Sequence, residues 1–256
     1  MCVAIYKPKN IQTPSLETLK KCWDTNPDGA GFAILTGEKK YPIEIHKGFM
    51  TWESFLWAFE KYQLADFSGE MFLHFRITTH GGTSPGNTHP FSITKDIKIL
   101  QYTNVITNYA LVHNGILPIE PENKGISDTM ELCRRLAKGS FYQDVPAVFN
   151  LIKGMIGSNK IAVMTKDKVH LLGDWEIDNG VYFSNMLWDW QDFGFDDYGF
   201  EDDCHFIDSW NIQQLNDGYC PYCGGPVQKD DDSFYCFQCD DIWIEKHEDE
   251  EPVLNF

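Results

Sequence analysis

The chain has 256 residues, 43% of them hydrophobic, and a formal net charge of -17. That size and composition support one substantial core plus a small second module. No apolar run approaches the ~20 residues a membrane helix needs, and the sign of the charge argues against binding nucleic acid through its phosphates. The charge is lopsided, because residues 186–256 carry 19 of the 38 acidic residues but only two basic ones, Lys229 and Lys246. Residues 1–185 are therefore neutral, and a boundary is expected near residue 185, with the acids of the tail at least keeping it soluble. The N-terminus has neither a basic n-region nor a long apolar stretch, so a cytoplasmic protein with reduced thiols is the expectation.

In chain order, MCVAIYK opens a first strand over Cys2–Tyr6, and Cys2 is either an ordinary strand residue or a nucleophile masked by Met1. Ser15 caps a helix beginning LETLKKCW, and strands follow at Gly31–Leu35 and Ile43–Lys47. Thr51 caps a second helix whose Phe55, Phe59 and Tyr62 form an apolar stripe. The strand Met71–Thr78 alternates, with Phe72, His74, Arg76 and Thr78 on one face and Leu73, Phe75, Ile77 and Thr79 on the other. Further strands are expected at Ile97–Tyr102, Tyr109–His113, Lys160–Met164, Val169–Leu172 and Val181–Ser184. Helices are expected from Ser127 to a stop at Gly139, and from about Val145 to Ile156. Many short strands with a few amphipathic helices give an α+β layered domain.

Residues 186–215 interleave aromatics with acids, unlike a disordered linker; they are expected to wrap onto the first domain, a partner-binding segment being the alternative. After them, Cys220 and Cys223 form one CxxC pair and Cys236 and Cys239 another, twelve residues apart. Two such pairs can supply four thiolates to a tetrahedral, structural Zn2+, in a zinc-ribbon-like module over residues 216–247 ahead of an acidic tail at 248–256. Disulfides or a redox pair are the competing readings. Cys22, Cys133 and Cys204 read as small buried hydrophobes.

Four motifs in the first domain are hard to explain by core packing alone. In HFRITTHGG (residues 74–82) a strand ends with Arg76, Thr79 and His80 beside two glycines; an Arg there can grip a carboxylate with two parallel donors, or make a surface ion pair. NTHPF (87–91) is a loop of polar, buried character. In VHNGI (112–116), Asn114 and Gly115 end a strand as a turn, or offer an amide and a backbone N–H to an oxyanion. Ser127-Asp128-Thr129 caps a helix, or presents Asp128 to a substrate ammonium.

Taken together and in order, the early Cys, RITTHG, NTHPF, HNG and SDT resemble the class II glutamine amidotransferase domain of the N-terminal nucleophile hydrolase fold, over about residues 2–185. NPDGAGF (26–32) and VYFSN (181–185) are similar to that family too. The resemblance implies a four-layer αββα sandwich. It implies that Cys2, freed of Met1, is the nucleophile, that Asn114 and the Gly115 N–H form the oxyanion hole, and that Arg76, Thr79, His80 and Asp128 bind L-glutamine. Val3 stands where many members have Gly, and Met130 where many have Glu; neither removes a catalytic group. The implied reaction splits the glutamine side-chain amide through a γ-glutamyl thioester to glutamate and ammonia. With only the short tail left for an acceptor domain, the favoured reading is a glutaminase subunit serving a separate synthase. The alternatives are a stand-alone hydrolase of γ-glutamyl amides and a non-catalytic adaptor built on the zinc ribbon.

Overall fold

The computed structural model describes residues 2–78, 82–123, 125–139, 141–142, 144–154, 156–188, 204–206, 215, 218, 227–230, 233–236 and 241–244. Backbone contacts divide the chain into two compact units, Met1–Phe193 and Gly194–Phe256.

In the first unit the elements run β1 (Val3–Lys7), α1 (Leu16–Asp24), β2 (Ala30–Leu35), β3 (Ile43–Phe49), α2 (Trp52–Lys61), β4 (Met71–Phe75), β5 (Phe91–Ser92), α3 (Ile97–Gln101), β6 (Asn104–Thr107) and β7 (Ala110–Asn114). They continue with α4 (Asp128–Lys138), α5 (Val145–Lys153), β8 (Lys160–Met164), β9 (Val169–Leu172), β10 (Glu176–Asp178) and β11 (Val181–Phe183). The three expected hydroxyl caps are in place. Ser15, Thr51 and Ser127 accept the backbone N–H groups of Thr18, Ser54 and Met130, satisfying donors that the first helical turn leaves bare.

The fold is α+β, with two antiparallel sheets and several helices. One sheet has the order β10-β11-β1-β4-β2-β3-β6, and the other β5-β7-β8-β9. Strand alternation sends each sheet's two faces into different cores. One face of the larger sheet places Ile5, Phe32, Leu73 and Phe183 against Leu19 and Cys22 of α1 and Phe55 and Phe59 of α2. Its other face places Ala4, Ala33, Ile45 and Phe72 in one cluster with Ala110, Val112, Ala162 and Met164 of the smaller sheet. On the far face of the smaller sheet, Leu111, Ile161 and Val163 pack with Met130, Cys133 and Leu136 of α4 and Phe149 of α5.

One expectation is corrected. Ile97–Tyr102 is not a strand; residues Ile97–Gln101 form the short helix α3, in which Asp96 accepts the Lys98 N–H. The alternation of apolar and polar residues in IKILQY imitates a strand, but a capped turn buries Leu100 and brings Ile97 against the same core. Cys22 and Cys133 are buried free thiols, as expected. In the second unit β12 (Cys204–Phe206), β13 (Val227–Asp230), β14 (Ser233–Cys236) and β15 (Asp241–Ile244) form a sheet of order β12-β15-β14-β13. Of the four candidate zinc ligands, Cys220, Cys223 and Cys239 lie outside the described residues, and Cys236 is described only as backbone. Most of the expected wrapping segment also lies outside them. Its first residues do not: Trp188 is buried against Phe183 at the first core.

Candidate active site

Cys2 stands just ahead of β1, a strand held between β11 and β4. Its backbone is fixed by the chain just after β11. The Asn185 Nδ2 donates to the Cys2 carbonyl at 2.8 Å. Ser184 exchanges two bonds with Ala4: its Oγ accepts the Ala4 N–H at 2.9 Å, and its own N–H donates to the Ala4 carbonyl at 2.8 Å. On the other side the sulfur meets the chain just past β4, donating to the Ile77 carbonyl at 3.3 Å and accepting the Ile77 N–H at 3.4 Å. The thiol is half-buried. Burial pushes its pKa up, while the Ile77 N–H and the positive Arg76 pull the other way.

Arg76 follows β4 and is only 4% exposed. Its Nη1 donates to the Thr78 Oγ1 at 2.7 Å and to the Gly82 carbonyl at 3.1 Å, so the guanidinium braces its own turn. Burial lowers its pKa, opposed by the negative character of Cys2, Asp28 and Asp128, which places all three within its electrostatic reach. Asp28 was not among the sequence candidates. Its N–H donates to the Arg76 carbonyl at 2.9 Å, the Arg76 N–H donates to the Gly29 carbonyl at 2.8 Å, and the Asp28 carboxylate accepts the Thr78 N–H at 2.7 Å. Thr79 and His80 lie outside the described residues.

Asn114 ends β7, buried, and its Nδ2 donates to the Ser184 Oγ at 3.0 Å. One hydroxyl thereby joins the strand that carries Cys2 to the side chain of Asn114. The Asn114 Oδ1 has no hydrogen-bond partner among the described residues. Gly115 has φ +127, a conformation side chains other than hydrogen resist, and a Cβ there would lie 2.2 Å from the Asn159 Oδ1. Asp128, the first residue of α4, is half-buried. Its carboxylate accepts the Leu117 N–H at 2.8 Å and the Thr129 N–H at 2.7 Å.

Behind these groups lie buried bases that the sequence reading did not single out. His74 and His89 stack with ring centroids 4.1 Å apart. The His74 Nε2 meets the His113 carbonyl at 3.1 Å, while the His74 Nδ1 and both His89 nitrogens have no partner among the described residues. Lys47 donates to the carbonyls of Leu100 at 2.7 Å and Gly86 at 3.0 Å and lies over the Phe91 ring. Burial lowers the pKa of all four: His74 is pushed down to about 3, and His89, His113 and Lys47 shift the same way. NTHPF is buried here because NPDGAGF lets it in. A Cβ on Gly31 would meet the His89 carbonyl oxygen at 2.2 Å, and one on Gly29 the Thr88 methyl at 2.6 Å.

Thus Cys2 and Arg76 share the stretch just past β4, Ser184 links Cys2's strand to Asn114, and Asp128 lies within the electrostatic reach of Arg76. Asp28, Ser184 and Asn185 escaped assignment although NPDGAGF and VYFSN flagged their stretches. Chemically, the sulfur has a cation near it, a hydroxyl links its strand to a buried amide, and a carboxylate lies within electrostatic reach of the same cation. Among the described residues no helix is long and apolar enough to cross a membrane, and no group of three or more His, Cys, Asp or Glu is arranged for a metal.

No family model and no curated protein matches the chain. Among solved structures, glutamine phosphoribosylpyrophosphate (PRPP) amidotransferase from B. subtilis, complexed with ADP and GMP, is similar with a TM-score of 0.46 and 17% sequence identity. The match covers 72% of this chain and 41% of that one, so the chain spans about two fifths of that enzyme's length.

Proposed function

We propose that the protein is a glutamine amidohydrolase of the class II amidotransferase type, with Cys2 as its N-terminal nucleophile. The observation that carries this reading is the bracket around the Cys2 sulfur, which sets it against Ile77, next to Arg76, on a strand whose Ser184 partner also holds Asn114. The succession of helices, sheet, sheet and helices in the three apolar clusters supports a four-layer αββα sandwich over residues 2–185.

Once Cys2 bears the free α-amine, that amine, with a pKa of about 8, is partly unprotonated near neutrality and takes the thiol proton. The thiolate attacks the side-chain amide carbon of glutamine. The second Asn114 Nδ2 proton and the Gly115 N–H stabilise the oxyanion that forms. The amine returns a proton to the departing nitrogen, ammonia leaves, and water then cleaves the γ-glutamyl thioester to glutamate. Arg76, with Thr79 and His80 a few residues on in the sequence, receives the α-carboxylate and Asp128 the α-ammonium, so both charged ends are fixed while the amide reaches the sulfur. The ammonia passes to an acceptor reaction on a separate synthase.

For the second unit the proposal is a structural zinc site of Cys220, Cys223, Cys236 and Cys239. The backbone suits it. Cys236 at the end of β14 pairs with Val227 at the start of β13 and with Asp241 at the start of β15, and the Val227 N–H donates to the Gly218 carbonyl at 3.0 Å. Gly218, Val227, Cys236 and Asp241, which flank in sequence the stretches carrying the other three cysteines, therefore meet at one end of this sheet. Four thiolates leave no open position on the metal, so its contribution is folding energy.

The test is glutamate release from glutamine by the wild-type protein and by Cys2→Ala. The wild type is expected to form glutamate and an acyl adduct one γ-glutamyl group heavier on Cys2, and the variant neither. A wild-type protein that lacks Met1 and still leaves glutamine untouched refutes the reading.

A further inference from the structure

A buried hydrogen-bond chain runs behind Asp128 and the Asn114–Gly115 turn, and the reaction as proposed gives it no part. Its centre is His113, 2% exposed on β7. The His113 Nε2 lies 2.7 Å from the Asn159 Oδ1, and the Nδ1 lies 2.8 Å from the Thr129 Oγ1. The Asn159 Nδ2 donates to the Ile156 carbonyl at 2.5 Å, which leaves Oδ1 as the atom facing the imidazole. An amide oxygen only accepts, so the Nε2 carries the ring proton. The Nδ1 of the neutral ring is then bare, and the Thr129 hydroxyl donates to it.

Two consequences follow from that assignment. The Thr129 hydroxyl has one proton, and with that proton on His113 it is not given to the Asp128 Oδ1, 3.3 Å away. Among the described residues Asp128 is then held by the Leu117 and Thr129 backbone N–H groups, with acceptor capacity left over for a ligand. The second concerns the turn. The same Asn159 Oδ1 that receives His113 packs against Gly115, in the space a Cβ would need. One imidazole therefore joins the start of α4 to the turn at the end of β7.

We infer that His113 is a positioning residue, which through Thr129 keeps the Asp128 carboxylate open to a substrate α-ammonium and through Asn159 seats the Asn114–Gly115 turn. The inference rests on the glutaminase reading, and it names how the site selects an α-amino acid over the same skeleton without the amine. It concerns the residues behind the ligand, not those that touch it.

The experiment compares wild type, His113→Leu, Thr129→Val and the double variant His113→Leu/Thr129→Val in glutaminase assays, reading the KM for L-glutamine and the inhibition constant of glutarate, which lacks the ammonium. Without His113 the Thr129 hydroxyl turns its proton to the Asp128 Oδ1, so His113→Leu is expected to raise the glutamine KM about tenfold, the size of one hydrogen bond in a buried site. Glutarate inhibition should stay within about twofold of wild type. Thr129→Val alone removes the competing donor and should leave the KM within about twofold, and adding it to His113→Leu should restore most of the loss. His113→Phe serves the same comparison if His113→Leu does not fold. An unchanged KM in His113→Leu overturns the inference, as does a double variant no better than the single one, and so does a parallel rise in both constants, which marks a merely structural role. A wild-type protein inert to glutamine is a different result: it removes the glutaminase reading, and this inference with it.

Discussion

The Asp28 carboxylate accepts the backbone N–H of Thr78 at 2.7 Å, across 50 residues of chain. Two residues earlier, the Arg76 carbonyl takes the Asp28 N–H at 2.9 Å. Between them stands Ile77, whose N–H and carbonyl both touch the Cys2 sulfur. Asp28 therefore sets the backbone that brackets the sulfur without touching it. A hydrogen bond to a charged acceptor is worth about 1.5–3 kcal/mol, so Asp28→Ala is expected to lower glutaminase kcat/KM by roughly ten- to a hundredfold. Asp28→Asn keeps an acceptor oxygen and should lose much less. Steady-state kinetics on both variants provide the check; equal losses would show that the hydrogen bond is not what matters.

The buried histidines make stability depend on pH. The folded state keeps His74 neutral down to about pH 3, whereas in the unfolded chain a histidine takes up its proton near pH 6.5. A group whose folded pKa is depressed contributes its stability above the unfolded pKa and loses it as the pH falls towards the folded one. Stability should therefore be full above pH 6.5 and decline by about 1.4 kcal/mol per pH unit for His74 alone below that. His89 and His113 shift in the same direction and steepen the fall. Urea titrations at pH 7.5, 6.0 and 5.0 measure it, and a variant with His74→Phe should flatten the slope.

Gly31 is where the loop bearing His89 crosses the larger sheet. A Cβ there would lie 2.2 Å from the His89 carbonyl oxygen and 2.5 Å from the Lys47 Cβ, two positions fixed by strands and buried bonds. Gly31→Ala is expected to destabilise the first unit by about 1–3 kcal/mol, the usual cost of overpacking. Gly154→Ala, with nothing within 4 Å of the added carbon, is the control and should leave the melting temperature within about a degree. Thermal unfolding of the two variants side by side decides.

For the second unit, metal analysis of the purified protein should find about one zinc per chain, and the Cys220→Ser/Cys236→Ser double variant should contain almost none. Because such a module folds on its metal, chelation should also make the strands over residues 227–244 susceptible to limited proteolysis. Zinc content unchanged by the double substitution would exclude these four cysteines as the site.

Much of this protein is legible in its residues because the deciding interactions are local. The caps at Ser15, Thr51 and Ser127, the stripe of Phe55 and Phe59 and the alternation of Phe72 and His74 each depend on spacing within one element. The motifs around Cys2, Arg76, Asn114 and Asp128 are also written in short stretches. What those stretches leave undetermined is which atoms meet. Asp28 and Thr78, Ser184 and Asn114, and Gly31 and His89 are joined by the pairing of strands distant in sequence. The helix at Ile97–Gln101 went against its own alternation because burying Leu100 and Ile97 in one core outweighed a weak local preference. The sequence by itself determined which groups are available and which turns can present them. Only the tertiary structure decided that a carboxylate reaches Thr78, that a serine hydroxyl ties Cys2's strand to Asn114, and that three histidines are buried neutral, since long-range contact and desolvation are properties of the packed chain and not of any segment.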